Sequence, residues 1–176
     1  MPVRRNNVDL QAMEKTAAEI RSDAAAGRRK TRVEGTWNLT AGEPQFRAEI
    51  AVGRQSFVLE ADQPPFAGGG GTRVGPIHYA LFGLVSCFTA TFASVAAAEG
   101  IDLQELRAAG EFELNFAKVF GVAEEPVVEE VRLSLTVRSD APWESLEAAL
   151  RQAEERCPAS FCLKNPIRLA ASLATV

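Results

Sequence analysis

The sequence predicts one α+β domain in which antiparallel strands surround a long, apolar central helix. Residues 75–100 form the longest apolar run, with no charge between Arg73 and Glu99. The segments on both sides alternate apolar and polar residues, which is typical of strands with one buried face. A length of 176 residues is sufficient for one domain with a sizeable core.

Composition narrows the function classes. The net charge is −4 and no basic block is present, which makes nucleic acid an unexpected partner. Three cysteines are too few for a secreted disulfide scaffold and suit a reducing cytoplasm. The opening residues have no apolar core, so we expect no secretory signal. We therefore predict a cytoplasmic location.

The first predicted element is a helix over residues 9–26, which belongs to an N-terminal arm at 1–30. Asp9 is a suitable cap, and Gly27 ends the helix. An apolar stripe at helical spacing gives it a buried face. We expect this arm to dock on the main domain, residues 31–176, or to contact a second copy.

Three strands are predicted next, at about residues 31–39, 45–52 and 55–61. Turn residues separate them, with Gly53-Arg54 between the second and third. The alternation of apolar and polar side chains makes these strands an antiparallel meander.

Residues 62–76 contain four consecutive glycines, which raises the question of a phosphate-binding loop. The run lacks the lysine of a P-loop and the strand–helix context of a dinucleotide fold. We interpret it as a flexible loop that leads into the central helix. Pro76 suits the first turn of that helix, and Gly100 suits the position just past its end.

A membrane-spanning role for the central helix is the alternative. Residues 79–98 carry no charge and have about the length that spans a bilayer. The run nevertheless contains several serines and threonines, one glycine and many alanines, and its flanks resemble globular strands. A helix covered by sheet fits better, so we predict no membrane partner.

Four elements are predicted after the central helix. Residues 101–108 are interpreted as a connection, and strands follow at about 112–116 and 131–137. A helix is predicted over 142–156, because Pro142 starts it and Pro158 disfavours helix at Cys157. A last strand at 167–174 closes the chain.

Two thiols are the main candidates for chemistry. Cys87 lies inside the central helix, and Cys157 follows 70 residues later at the end of the next long helix. If packing joins them, one thiolate can reduce a peroxide and the other can resolve the sulfenic acid as a disulfide. Burial of Cys87 disfavours its thiolate, so a nearby cation is needed if this thiol is to react at neutral pH. The negative helix end at Cys157 makes it the expected resolving thiol, which Cys162 could replace.

Two segments of the chain resemble the OsmC/Ohr family. The first runs from Phe57 to Phe92 and contains DQPP, the glycine run, GP and the central cysteine. The second is the Cys-Pro segment after the second helix. The resemblance covers about residues 30–175. It implies an OsmC-like intertwined homodimer with sites at the subunit interface. It also implies a thiol peroxidase that reduces organic hydroperoxides, with Cys87 as peroxidatic and Cys157 as resolving residue, and a dithiol reductant. No cofactor is implied.

The chain departs from the family at the residues that place a cation beside the cysteine. Members usually place a glutamate nine or ten residues before the cysteine, where it orients an arginine, and Ile77-His78 stand there instead. Arg47 is our candidate for the cation, although no arginine matches cleanly. Nine helical residues put His78 opposite Cys87 and about 13 Å away. It could act on the sulfur only through a helix break or across a dimer, and is otherwise a surface residue.

Two alternatives remain. The missing glutamate motivates a non-catalytic dimer that binds a small apolar ligand. The three cysteines and His78 motivate a tetrahedral zinc site, although no local CxxC pair supports it.

Overall fold

A computed structural model describes residues 4–175 and shows a mixed α/β fold with antiparallel sheets and four α-helices among these residues. In chain order the elements are β1 (Arg4–Arg5), β2 (Val8–Asp9), α1 (Leu10–Ser22), β3 (Gly35–Trp37), β4 (Phe46–Val52), β5 (Gln55–Ala61), α2 (Pro76–Ala98), β6 (Glu105–Leu114), β7 (Val128–Arg138), α3 (Trp143–Arg156) and α4 (Pro158–Lys164).

The chain divides into two compact units. The amino-terminal unit is Ala12–Phe82, and the thiol unit comprises the residues up to Gln11 and those from Gly83 onward. The thiol unit contains all three cysteines. The predicted division into an arm at 1–30 and a domain at 31–176 stays a prediction, and its residues 1–3 lie outside the described part of the chain.

The amino-terminal unit contains the predicted meander, a sheet in the order β3-β4-β5. The predicted turn at Gly53-Arg54 is confirmed, since Val52 pairs with Gln55 and Gly53 has a φ of 62°. β3 is shorter than predicted, because only Gly35–Trp37 pairs with β4. The sheet buries Ala48 on β4.

The first helix is also shorter than predicted. α1 ends at Ser22, and a 3₁₀ turn covers Ala24–Gly27. The carboxylate of Asp23 accepts a hydrogen bond from Ala25 N–H at 2.9 Å, which offers the backbone an alternative to the α-helical ladder. The continuous helix predicted to residue 26 is therefore wrong in its last turn.

The glycine run is a loop that leads into α2, as predicted, and hydrogen bonds to Asp62 hold part of it. Asp62 is 2% exposed, and its carboxylate accepts hydrogen bonds from the N–H and Oγ1 of Thr72, both at 2.9 Å. A Cβ at Gly69 would lie 2.0 Å from the Gln63 carbonyl oxygen. Only glycine fits at this position. The close approach of the backbone therefore accounts for Gly69, and no bound phosphate is needed to explain it.

α2 is the longest helix described and is continuous from the predicted Pro76 to Ala98. Gly100, at φ 77°, follows its end as predicted, and Ile101 N–H bonds to the Ala96 carbonyl. By length and composition this helix could cross a membrane, a test that core helices of soluble proteins also pass.

The core of the thiol unit forms where α2 packs against α3. Phe92 is 1% exposed and shares a buried cluster with Phe88 of α2 and with Ala149 and Ala153 of α3. The inward side chains of β6 and β7 pack on this cluster. Large side chains of α2 and small side chains of α3 therefore share one close-packed core.

A hairpin at residues 4–9 was not predicted. Asn6 and Asn7 adopt left-handed φ values of 52° and 62°, which asparagine tolerates and tight hairpins need. The Asn6 amide donates to the Ile101 carbonyl and accepts from Leu103 N–H, both at 2.9 Å. The hairpin is therefore held on the segment that joins α2 to β6.

The C-terminal part requires two corrections. β6 begins at Glu105, so the connection predicted at 101–108 is half strand, and α4 occupies Pro158–Lys164. The strand predicted at 167–174 is not formed. Alternating apolar and polar side chains give this segment an apolar face, but a strand also needs a neighbouring strand for its backbone hydrogen bonds. Leu169 and Leu173 are 92% and 93% exposed.

Candidate active site: a thiol pair

Cys157 occupies the junction between α3 and α4. Pro158 disfavours helix at the preceding residue, and Cys157 accordingly has φ −70° and ψ 120°. Its N–H still bonds to the Ala153 carbonyl at 2.9 Å, and its own carbonyl accepts from Phe161 N–H at 2.9 Å. Cys157 thus ends one helix and precedes the next, and its side chain is fully buried.

Cys87 lies midway along α2 and is half-buried against the same core cluster. Its sulfur lies 3.6 Å from the Cys157 sulfur, although the two residues are 70 positions apart. Packing of α2 against α3 therefore brings the two predicted thiols into contact, which local spacing could not establish. Both are free thiols.

The two thiols differ in their electrostatic surroundings. Burial raises the pKa of Cys87, and only the Ala159 N–H opposes this shift by favouring its thiolate. Burial also raises the pKa of Cys157, but the N–H and hydroxyl of Ser160, with smaller contributions from Cys87 and Ala159, outweigh it and lower that pKa overall.

The direction of the Cys157 shift differs from the expectation that the negative end of α3 disfavours its thiolate. That expectation left out α4, whose first turn contains Ser160. The resolving role of Cys157 stays a prediction. Although Cys157 forms no standard side-chain capping bond to α4, the Ser160 donors favour its thiolate.

The remaining predicted site residues lie outside this pair. Arg47 is in the amino-terminal unit, with Nε 4.0 Å from a Glu60 oxygen, and Arg73 pairs with the same carboxylate at 2.7 Å. His78 is exposed near the start of α2, and that helix has no break. Cys162 is exposed on α4. The catalytic roles of Arg47 and His78 stay predictions.

Within residues 4–175, no group of three or more His, Cys, Asp or Glu side chains is arranged to hold a metal ion. The four residues of the zinc alternative are therefore not gathered as ligands in the described chain.

A cavity of about 810 Å³ lies in the thiol unit among β7, α2, α3 and α4. Its apolar lining includes Phe88, which follows Cys87, while Ser160 lies three residues after Cys157. Of the three phenylalanines in the middle of α2, Phe82, Phe88 and Phe92, only Phe88 lines this cavity. Phe92 is in the core, and Phe82 is 71% exposed.

Sequence reasoning missed Ser160 because it treated Cys157-Pro158 only as the end of a helix. Proline is also favoured at the first position of a helix, so the same dipeptide could have indicated the start of α4. A serine three residues after Cys157 would then have been a candidate donor to its sulfur.

Comparison with known proteins agrees with this fold. Residues 68–172, more than half of the chain, match the family model described as OsmC-like protein. An OsmC-like protein from Mycoplasma pneumoniae has a TM-score of 0.57 at 20% identity, with 77% of this chain and 88% of that chain covered. No curated protein matches the sequence.

Two further structures are similar. An organic hydroperoxide resistance protein OsmC from Legionella pneumophila, described as a predicted redox protein and regulator of sulfide bond formation, has a TM-score of 0.54 at 18% identity, covering 78% of this chain and 92% of that chain. A putative osmotic stress induced and detoxification response protein from Psychrobacter arcticus has a TM-score of 0.56 at 19% identity, covering 76% and 88%. At these identities the likeness establishes the fold alone.

Proposed function

Because the chain belongs to the OsmC-like family, we propose that it is a thiol-dependent peroxidase that reduces organic hydroperoxides. The observation that carries this proposal is the 3.6 Å contact between the sulfurs of Cys87 and Cys157. A sulfenic acid on one of them would have the other within immediate reach. The relative from Legionella pneumophila, described as an organic hydroperoxide resistance protein, supports the same reaction class.

The proposed cycle has three steps. The Cys87 sulfur attacks the terminal oxygen of a hydroperoxide, the O–O bond breaks, and the alcohol leaves with a proton while Cys87 becomes a sulfenic acid. Cys157 then attacks the Cys87 sulfur and expels water, which leaves a disulfide. An external dithiol reduces that disulfide by thiol–disulfide exchange and is itself oxidised to a disulfide.

Accessibility supports Cys87 as the thiol that attacks first. Cys157 is fully buried, whereas Cys87 keeps part of its surface exposed. A hydroperoxide can therefore approach Cys87 more readily. The cavity beside Phe88 has an apolar part, which includes Leu133 and Leu135, that would suit the organic group of the substrate. A cation that favours the Cys87 thiolate, with Arg47 as the candidate, completes the proposal.

The test is consumption of cumene hydroperoxide by the reduced protein with a dithiol in excess. We expect Cys87→Ser to abolish turnover. Cys157→Ser should allow one oxidation but no disulfide within the chain, and Cys162→Ser should turn over normally as the matched control. Wild-type protein without activity on cumene, tert-butyl or fatty-acid hydroperoxides would refute the proposed function.

We also propose a homodimer in the cytoplasm. Only 33% of the most apolar stretch of α2 is buried in the single chain, and Phe82, Leu169 and Leu173 are largely exposed. Exposed apolar patches of this kind mark interfaces, and a second copy would cover them. Light scattering should give twice the mass of the chain, and a monomer at micromolar concentration would contradict the dimer.

The raised pKa of Cys87 favours a second candidate function. A protonated Cys87 is a poor nucleophile, and the apolar part of the cavity could then hold a small apolar ligand in a protein without catalysis. The rate of Cys87 alkylation against pH distinguishes the two functions. A rate that rises only above the ordinary pKa of cysteine, together with no peroxide consumption, would favour the binding protein.

A further inference from the structure

The cavity of the thiol unit has an apolar floor that adjoins the core on which Cys87 packs. Phe88, on this floor, is 6% exposed and belongs to the buried core cluster. Leu133 and Leu135 of β7 also line the cavity, and they pack against the same cluster as Cys87 does. The organic group of a hydroperoxide that approaches Cys87 from this cavity would therefore lie on apolar side chains.

The mouth of the cavity, in contrast, is charged. The side chains of Glu130, Glu154 and Lys164 are 54%, 51% and 55% exposed, and Glu129 is exposed as well. These exposed fractions place the charged groups at the mouth, away from the buried floor. The charged residues that line the cavity are Glu129, Glu130, Glu154 and Lys164, so three carboxylates lie around one ammonium group.

The pairing of these charges leaves one carboxylate without a counterion. The Lys164 ammonium lies 2.8 Å from a Glu154 oxygen, and Glu130 pairs with Arg132. Glu129 has no ion-pair partner within residues 4–175. An anion at the mouth would therefore face the unpaired Glu129 carboxylate, while Lys164, the one cation of the described lining, is already held by Glu154.

We propose that this charged mouth selects uncharged organic hydroperoxides over anionic ones, such as hydroperoxides of ionised fatty acids, as they approach Cys87. The inference rests on the proposed function, and it makes Glu129 a specificity-determining residue. An uncharged hydroperoxide meets no repulsion at the mouth and can bury its organic group on the floor. Repulsion between exposed unit charges should reduce the access of an anion by about two- to threefold.

The test compares two alkylating reagents of similar shape, uncharged iodoacetamide and anionic iodoacetate, on the reduced Cys162→Ser protein. The rate at Cys87 is measured by peptide mass spectrometry, and 2-mercaptoethanol gives the intrinsic ratio of the two rates. We expect the protein to disfavour iodoacetate by a further two- to threefold, roughly, at about 0.1 M salt. Glu129→Gln should remove most of this preference. Lys164→Gln, which leaves Glu154 unneutralised, should increase it.

Glu144→Gln is the matched control. It removes the same charge from α3, but Glu144 does not line the cavity and lies about 15 Å along the helix from Glu154. That separation exceeds the Debye length of about 10 Å at this salt concentration, so the ratio should not change. A wild-type ratio equal to that of 2-mercaptoethanol, or an unchanged ratio in Glu129→Gln, would overturn the inference.

Turnover provides a second measurement. The methyl ester of linoleic acid hydroperoxide should give a higher kcat/KM than the free acid, and Glu129→Gln should narrow the difference. Equal values for ester and acid would also overturn the inference. Alkylation needs no peroxide, so an inactive protein with the expected alkylation ratios would refute the proposed function and leave the charge selection at the mouth intact. An active protein without these ratios would refute the selection alone.

Discussion

Oxidation by one equivalent of hydroperoxide should give a protein that is markedly more stable than its reduced form. A disulfide between Cys87 and Cys157 would close a loop of 70 residues in the unfolded chain. The sulfurs are already in contact in the folded chain, so closing the bond requires little rearrangement there. The effect on stability should therefore come mainly from the unfolded state.

The magnitude follows from the length of the loop. In the chain-entropy model, a cross-link over 70 residues stabilises the folded state by about 4 kcal/mol at 25 °C. For a chain of this size, each kcal/mol shifts the midpoint of thermal unfolding by roughly 2–4 °C. The oxidised protein should consequently unfold about 10 °C above the reduced protein.

The assay is thermal unfolding followed by circular dichroism, with intact mass measured on the same samples. Oxidised wild type should lose two hydrogens and gain stability, and so should Cys162→Ser. Cys157→Ser should show neither change. A shift of midpoint that persists in Cys157→Ser, or a disulfide in wild type without any gain in stability, would refute this reasoning.

Three further predictions concern stability and assembly. The donors of Thr72 lower the pKa of Asp62, so the native state binds fewer protons at this carboxylate than the unfolded state does. The ionised carboxylate therefore stabilises the fold fully above its unfolded pKa of about 3.9, and this stabilisation is lost as pH falls through the lower folded pKa. Asp62→Asn should flatten the acid dependence of stability measured by urea unfolding. Phe92→Ala should reduce the free energy of unfolding by about 3–5 kcal/mol, because this side chain is buried. Phe66→Ala, at a side chain 64% exposed, should change it by less than about 0.5 kcal/mol. Equal effects of the two substitutions would contradict the placement of Phe92 in the core. Leu169→Glu should shift the proposed dimer toward monomer in light scattering, and an unchanged mass would exclude the C-terminal segment from the interface.

Patterns that depend on neighbours in sequence predicted much of the fold. The alternation in β4 and β5, the glycine turn between them, and the proline and glycine that bound α2 are local signals. The strand at 167–174 failed because a ladder needs a partner strand, which alternation cannot supply. The hairpin at residues 4–9 was missed because its Asn6-Asn7 turn is a weaker signal than Asn-Gly.

The site was predictable in part. The sequence and its family resemblance identified Cys87 and Cys157. The contact between their sulfurs depends on the packing of segments 70 residues apart, which no local pattern specifies. The surroundings of Cys157 were not predicted, because they include α4, a helix of 7 residues without its own periodic signal. Helices this short are marginal in isolation, so packing in the folded chain fixes them.

One residue accounts for both the geometry and the electrostatics of Cys157. Pro158 stops α3 at the residue before it, which leaves Cys157 with extended backbone angles and its side chain directed into the core. The same proline starts α4, where proline is favoured because its missing N–H is not needed in the first turn. A Cys-Pro dipeptide between two helices therefore ends the first helix, starts the second and leaves the thiol between them buried, with its sulfur 3.6 Å from that of Cys87.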